Sequence, residues 1–354
     1  MSKLREYLLN GGSIAELNET HLVKHRRHCD YNNLVLFTYN IGCKFDQPFH
    51  SECRGIILDE ANNWECICRP FNKFFNLGES LAAEIDWNTA TVFEKLDGSM
   101  CSFYKYDGKY HIATTGTPDA NTPVGDYNLT FEQLFYKVLE ENKLPIPEIP
   151  EGITLIWELM TEFNRIVVPH QRMEIVLLAA RSTGTGDYLD INAFPDYPKP
   201  KTFEYRSTDE VLRSLSSFRG IDQEGYVVVD ADNNRIKVKH PEYVELHHAV
   251  TGTTFSSLVS LALKGEVSEA IAYFPHLTES LNKLQCTIET QCADIEQLFD
   301  SIKGLPTRKE FAMEALKSRY YNVLFKMKDK SITAREVLLD ERIPNVIDIL
   351  KLRD

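Results

Sequence analysis

Residues 91–100 read TVFEKLDGSM. A β-branched and aromatic run, Thr91–Phe93, leads into Glu94 and Lys95, and Asp97-Gly98 then breaks the pattern as a turn. The next stretch, CSFYKYDGKYHIATT, alternates like two strands joined at Asp107-Gly108, where both turn positions tolerate positive φ. Lys95 therefore stands at the end of a strand, beside a turn, in a region built from strands. Working outward, ECRGIILDE, NWECICRP, ITLIWELM, MEIVLLAA and GYVVVD read the same way. One helix interrupts them at LTFEQLFYKVLEEN, where apolar residues recur every three or four positions, and Pro-rich LPIPEIPEG closes it. Residues 1–50 are mixed, with a polar helix-like start and an extended LVLFTYNIG.

After His240 the text changes. FSSLVSLALKG, SEAIAYF, TESLNKLQCTIETQCADIEQLFDSIKG, TRKEFAMEALKSRYYNVLFKM and IPNVIDILKL all carry helical periodicity, with Gly265 and Gly304 as stops. No internal repeat is visible. The expected architecture is α+β to about residue 240 and all-helical from about residue 245.

The 354 residues are 43% hydrophobic and 26% charged, a folded composition with room for two domains. The N-terminus lacks a secretory pattern and no apolar run spans a bilayer, so a soluble, cytoplasmic protein (in the host cytoplasm if viral) is expected. Eight cysteines without a Cys-x-x-Cys pair read as reduced thiols, neither a disulfide framework nor a zinc site. His247-His248 point apart on a helix and make a poor metal clamp. The net charge of −13 argues against non-specific nucleic-acid affinity, while leaving room for a local basic cleft.

An amine attacks only when unprotonated, so a nucleophilic lysine needs desolvation or neighbouring cations. The strands supply cations: Arg54 in ECRG, Arg69 and Lys73 in RPFNKFFN, and Lys237 and Lys239 in IKVKH. Lys237 and Lys239 are two apart on a strand and share a face, which is costly without an anion beside them; a triphosphate would serve. Glu158 follows the apolar run ITLIW, where an acid needs a ribose hydroxyl or a cation as partner. Glu224-Gly225 opens a strand where the glycine lets backbone come close to a ligand. Carboxylates beside phosphates most simply hold Mg²⁺.

Lys95-Leu96-Asp97-Gly98, then Glu158 in WELM, then Glu224-Gly225-Tyr226-Val227, then Lys237-Val238-Lys239, resembles the ordered motif series of covalent nucleotidyltransferases: DNA ligases, RNA ligases and mRNA-capping guanylyltransferases. ECRGI, RPFNKFFNL, EFNRIVV and KVKHPEY look closer still to the RNA ligase 1 family, the ATP-dependent tRNA-repair ligases of bacteriophages. The resemblance runs from about residue 50 to 245.

This resemblance implies an adenylyltransferase domain over 1–243, a nucleotidyltransferase (ATP-grasp-like ligase) fold of antiparallel sheets with helices, and an all-helical C-terminal domain over 244–354 that helps choose the RNA. By the same resemblance Lys95 is the nucleophile toward the α-phosphate of ATP. Arg54 and Lys73 engage nucleotide phosphates, and Glu94 belongs to the nucleotide-binding set. Glu158 holds the ribose, Glu224 lies beside adenylate and metal, and both are metal candidates for Mg²⁺ or its substitute Mn²⁺. Val227 lies against adenine, Lys237 and Lys239 on the α-phosphate, with Tyr243 nearby. The implied partners are ATP and RNA, single-stranded or with tRNA anticodon-loop ends, and a monomer is expected.

One position departs from the family pattern. Thr115 stands before Gly116 where relatives often carry a basic residue, and His111 or Lys105 are the expected substitutes. DNA ligases and capping enzymes continue into a β-barrel, which the helical text after 245 disfavours. An inactive nucleotide- or RNA-binding relative is the remaining alternative, against which the intact lysines and glutamates count. In the helical part, basic runs at TRKEF, ALKSRYY and KMKDKS are candidates for RNA backbone, and Tyr320-Tyr321 for base stacking or core.

Overall fold

The computed structural model describes residues 1–40, 42–124, 128–164, 167–170, 172–244, 255–273 and 277–352. The chain divides into two compact units, Met1–Leu246 and His247–Asp354. The first holds helices α1 (Lys3–Leu9) and α2 (Ile14–Glu19), then strands β1 (Val23–Arg27), β2 (Leu34–Tyr39), β3 (Arg54–Asp59), β4 (Glu65–Cys68), β5 (Phe75–Asn76), β6 (Thr91–Lys95), β7 (Ser99–Tyr106) and β8 (Lys109–Ala113). Helix α3 (Phe131–Glu141) follows, then β9 (Ile153–Met160), β10 (Glu174–Ser182), β11 (Tyr188–Leu189), β12 (Thr202–Phe203), α4 (Thr208–Ser214), β13 (Gly225–Val229) and β14 (Arg235–Lys239).

These strands form three sheets. The first has the order β1-β2-β3-β4. Strand β2 is apolar at successive positions because both its faces are covered. Val35 and Phe37 meet Leu4, Leu8 and Leu17 from α1 and α2, while Leu34 and Leu36 pack with Ile57, Tyr104 and Ala113. The second sheet has the order β11-β10-β9-β7-β8. Along β9, Leu155, Trp157 and Leu159 face α3, whose Leu134, Phe135, Val138 and Leu139 complete that core. Trp157 stands edge-on to Phe135 and Tyr197, at 5.9 and 5.0 Å between ring centroids. The helix starts at a capping box in which Thr130 and Gln133 each satisfy the other's backbone N–H. By alternation, Thr154, Ile156 and Glu158 point to the opposite face of β9.

The third sheet, β12-β6-β13-β14-β5, is antiparallel except where β5 joins β14 in parallel. Val92, Tyr226, Val228, Ile236 and Val238 pack with Val211 and Leu215 on one face. Register pairs Lys95 with Gly225 and Phe93 with Val227. It also pairs Gly225 with Lys239 and Val227 with Lys237. Directly opposed residues share a face, so Lys95, Val227, Lys237 and Lys239 all emerge from the side away from that core.

The Asp107-Gly108 hairpin forms as expected, with φ of 51° and 72°. Several elements escape the sequence pattern, among them the two-residue strands β5, β11 and β12, helix α4 and strand β1. Helix α4 is too short for periodicity to register and is marked only by its N-cap, Ser207, which accepts from Glu210 N–H. Strand β1 reads VKHRR, with Val23 alone buried, and owes its form to pairing along β2. All eight cysteines are free thiols.

The second unit is helical: Phe255–Lys264, Val267–Tyr273, Thr278–Ile302, Arg308–Ala315, Tyr321–Lys330, Ala334–Leu339 and Ile343–Leu350. The long helix buries Leu281, Leu284, Ile288, Cys292 and Ile295, spaced three and four apart, against the surrounding helices. Gly265, at φ +70°, follows the first helix, and Thr307 and Thr333 form capping boxes with Glu310 and Glu336. His247-His248 lies outside the described residues. No described helix is long and apolar enough to cross a membrane.

Candidate active site

The group around Lys95 is assembled by one glycine. Gly225 pairs with Lys95 on one side and Lys239 on the other. Its φ is +141°, and an added Cβ would sit 2.1 Å from the Val238 carbonyl oxygen and 2.8 Å from Lys239 Cα. No side chain fits there, so the strands close tightly and the preceding residue, Glu224, is held between two lysines. Lys95 Nζ lies 2.6 Å from Glu224 Oε2, and Lys239 Nζ 3.6 Å from Glu224 Oε1. Glu224 is 4% exposed and Lys95 19%, so the bridge sits in a desolvated setting where charges interact strongly. The sequence pattern places cations around the amine; the structure adds a carboxylate in direct contact with it.

Asp97 pins the turn that follows Lys95. Its buried carboxylate accepts from the backbone N–H groups of Val167 and Val168, at 2.9 and 2.7 Å. The Tyr243 hydroxyl donates to its other oxygen at 2.8 Å. The Asp97 carbonyl oxygen is 2.6 Å from His170 Nε2. Gly98 is required next, because a Cβ would meet the Leu159 carbonyl oxygen at 2.5 Å. Tyr243 thus meets the site twice, its hydroxyl on Asp97 and its ring 5.7 Å from Lys239 Nζ. The sequence offers Asp97 only as part of a turn; its role as the anchor of that turn appears with its partners in the fold.

Glu158, on the face of β9 away from α3, joins the same electrostatic group. Burial pushes its carboxyl up to about 7 from an ordinary 4.5; Lys95 and Arg54 oppose that rise, while Glu224 and Asp97 add to it. Arg54 opens β3 with its guanidinium 5.8 Å over the Phe74 ring, and Lys237 Nζ lies 5.4 Å over that same ring. Nη1 of Arg54 is buried with no hydrogen-bond partner among the described residues. Lys73 Nζ lies over the rings of Tyr39 and Phe75, at 5.7 and 5.3 Å. Val227 is half-buried on the Lys95 face, an apolar platform between lysines.

Glu94 is not part of this gathering. Strand alternation turns its side chain to the opposite face of β6, where it pairs with Lys201 at 3.6 Å. Thr115 does lie close by, since Gly55, next to Arg54, packs against it with an added Cβ only 3.1 Å from Thr115 Cα. The expected substitutes for a basic residue there are placed elsewhere. His111 packs against His28, Tyr31 and Tyr104, and Lys105 lies over Tyr110. His111 on β8 and Lys105 on β7 are thus both engaged with aromatic rings rather than with the Lys95 group.

The donor set fits a nucleotide with its metal. Three lysines on one sheet face and an orphaned, buried guanidinium N–H suit phosphate oxygens. Two carboxylates, Glu158 and Glu224, suit a hard cation such as Mg²⁺. The one group of three metal-type side chains with ligand atoms mutually within 4.8 Å, among the described residues, is His28, Cys29 and Asp119, whose cysteine is exposed.

Two sheets thus direct lysines and glutamates onto one amine, an arrangement suited to the phosphates of a nucleotide. A family model described as RNA ligase matches residues 52–243, more than half of the sequence, and the chain belongs to that family. Among similar proteins, one from Autographa californica nuclear polyhedrosis virus, described as a bifunctional polynucleotide kinase/RNA ligase, is 29% identical over 76% of this chain. The chain spans only 41% of that relative's length. An RNA ligase of Rhodothermus phage RM378 is 26% identical, over 88% of this chain and 89% of its own. RNA ligase 1 of bacteriophage TS2126 is 30% identical over 58% of this chain and 54% of its own. Among solved structures, an archaeal ATP-dependent RNA ligase is similar with a TM-score of 0.47 at 12% identity, covering 86% of this chain and 85% of its own.

Proposed function

We propose that this chain is an ATP-dependent RNA ligase that joins 5′-phosphate and 3′-hydroxyl RNA ends through lysyl-AMP and RNA-adenylate intermediates. The observation that carries the reading is the Lys95–Glu224–Lys239 bridge on the sheet face that also bears Lys237. In the first step Lys95 Nζ attacks the α-phosphorus of ATP. The N–P bond forms, the bond from that phosphorus to the bridging oxygen breaks, and pyrophosphate leaves with the electron pair. Glu224 Oε2, at 2.6 Å, is placed to take the amine proton. Lys237 and Lys239 neutralise charge that grows on the α-phosphoryl oxygens, the main work of a phosphoryl-transfer site. Mg²⁺ bound by Glu158 and Glu224 would supply further neutralisation. An oxygen of the RNA 5′-phosphate then displaces the lysine, which recovers its proton, and the 3′-hydroxyl oxygen displaces AMP to seal the strand.

We assign nucleotidyl transfer to residues 1–243 and selection of the RNA to 244–354. The substrate proposed is broken tRNA opened in its anticodon loop, repaired in the cytoplasm by a monomer. The relative described as a kinase/RNA ligase supports a repair setting, since a kinase prepares the 5′-phosphates that such a ligase needs.

Incubation with labelled ATP and Mg²⁺ should leave label on the protein in a denaturing gel. Lys95→Ala should remove that label entirely while still sealing pre-adenylated RNA. Label from GTP in its place would point to capping and overturn the ligase reading. Ligation compared across nicked duplexes, single strands and cleaved anticodon loops tests the tRNA proposal, which fails if cleaved loops are the poorest substrate.

A further inference from the structure

A cleft of about 430 Å³ opens in the first unit, lined by Asn72, Lys73, Phe74, Arg181, Tyr188 and Arg235 among others. Arg235 is on the same face of β14 as Lys237 and Lys239, four residues before Lys239, so it lies about 13 Å along the strand from it. Two guanidiniums share one ring here: Arg235 Cζ lies 3.9 Å and Arg181 Cζ 4.9 Å from the centre of Tyr188. Phe71 stacks on that tyrosine at 5.9 Å, and Arg235 also lies 5.1 Å from Phe71.

Neither guanidinium has an ion pair among the described residues. Arg181 donates from Nε to the Gly186 carbonyl oxygen, and from Nη1 to the Pro70 carbonyl oxygen and Asn72 Oδ1. Its Nη2 is left over. Arg235 uses one of its five donors, from Nη1 to the Asn233 carbonyl oxygen at 3.1 Å. Burial lowers the pKa of Arg235, and the charge of Arg181 lowers it further. Two like charges held together by an aromatic ring, with donors to spare, are the setting in which an anion removes both the repulsion and the desolvation cost. The exposed Asp187 and Asp232 also line the cleft, and neither bridges the arginines.

We propose that this cleft holds backbone phosphate of the RNA strand, with Arg181 and Arg235 as the gripping pair and Tyr188 as the residue that positions them. The proposal rests on the ligase reading and names where its RNA lies. Lys73, at the near wall, marks where the nucleotide site passes into the strand site. Arg235 stands two residues, about 7 Å, from Lys237 and about 13 Å from Lys239, so the cleft extends the cationic face of β14 beyond the lysines of the nucleotide site.

The test uses the full chain and two assays: protein labelling with ATP, and sealing of a pre-adenylated RNA, which needs no ATP. Arg235→Ala should raise KM for the pre-adenylated RNA about tenfold, an effect of the size expected for one lost charge-assisted contact. The slope of log affinity against log salt should fall by about 0.7, one phosphate contact to a single strand. Labelling by ATP should match wild type. Reduced labelling with normal sealing would assign the cleft to the tail of ATP and overturn the proposal; unchanged behaviour in both assays would overturn it as well. If Arg235→Ala melts early, Arg235→Gln keeps the planar head group without its charge and carries the same two readouts. Wild-type protein that takes label but seals no RNA would refute the ligase reading itself, a result distinct from either failure above.

Discussion

In the first unit Glu224 reaches Lys95, 129 positions away, and the pair is 4% and 19% exposed. In the second, Lys317 reaches Glu314, three positions away, with 69% and 44% exposure. Other bridges described in the helical unit span ten to 21 positions but are also largely exposed. Arg308 pairs with Asp329, Lys326 with Glu341 and Lys330 with Asp340, while Lys328 donates to the Lys303 carbonyl oxygen. The basic runs that look like RNA contacts in the sequence are thus largely answered by acids of their own unit. Tyr320 packs against the helical core and Tyr321 is 40% exposed. A sheet gathers charge from distant segments into one desolvated place, whereas these helices settle most of theirs among nearby exposed groups. The first arrangement stores strong, directional electrostatics; the second is worth little to stability.

That contrast can be broken most severely at Gly225. Gly225→Ala forces a Cβ onto the Val238 carbonyl oxygen and should destabilise the first unit by roughly 3 kcal/mol, with ATP labelling down at least a hundredfold. Equilibrium denaturation and a labelling time course check both, and a wild-type midpoint would show that the tight pairing is not what holds Glu224 between its lysines.

A second test separates the units by pH. The folded carboxyl of Glu158 titrates near 7 against an ordinary 4.5, so its proton stabilises the fold below about pH 4.5, and that contribution is lost as pH rises through 7. Across this window wild type should lose up to about 3 kcal/mol relative to Glu158→Gln, following 1.36 kcal/mol per unit. Parallel stability curves for the two proteins would show that the Glu158 carboxyl is not held in a desolvated setting. The smallest effect belongs to the helical unit. Lys317→Ala should change stability by under about 0.5 kcal/mol and leave ATP labelling untouched, as exposed pairs do.

Much of the site was legible early because its parts sit at strand ends whose character is local. The strand leading to Lys95, the turn at Asp97-Gly98, the apolar run before Glu158 and the alternation in Arg235–Lys239 each declare themselves within a few residues. The side chain of Glu94 faces away from that of Lys95 because neighbours along a strand point to opposite faces. The partners of Asp97, drawn from residues 167, 168, 170 and 243, have no spacing that a linear pattern can reveal.

Sequence alone determined the elements, the change from strands to helices, and the kind of chemistry its lysines and glutamates can perform, since propensity and side-chain type are properties of short segments. Tertiary structure decided which residues meet. Strand register set Glu224 between Lys95 and Lys239, brought Arg181 and Arg235 to one tyrosine, and turned Glu94 away. Register depends on pairings between strands more than a hundred residues apart, and a shift of one position would send every one of these side chains to the other face.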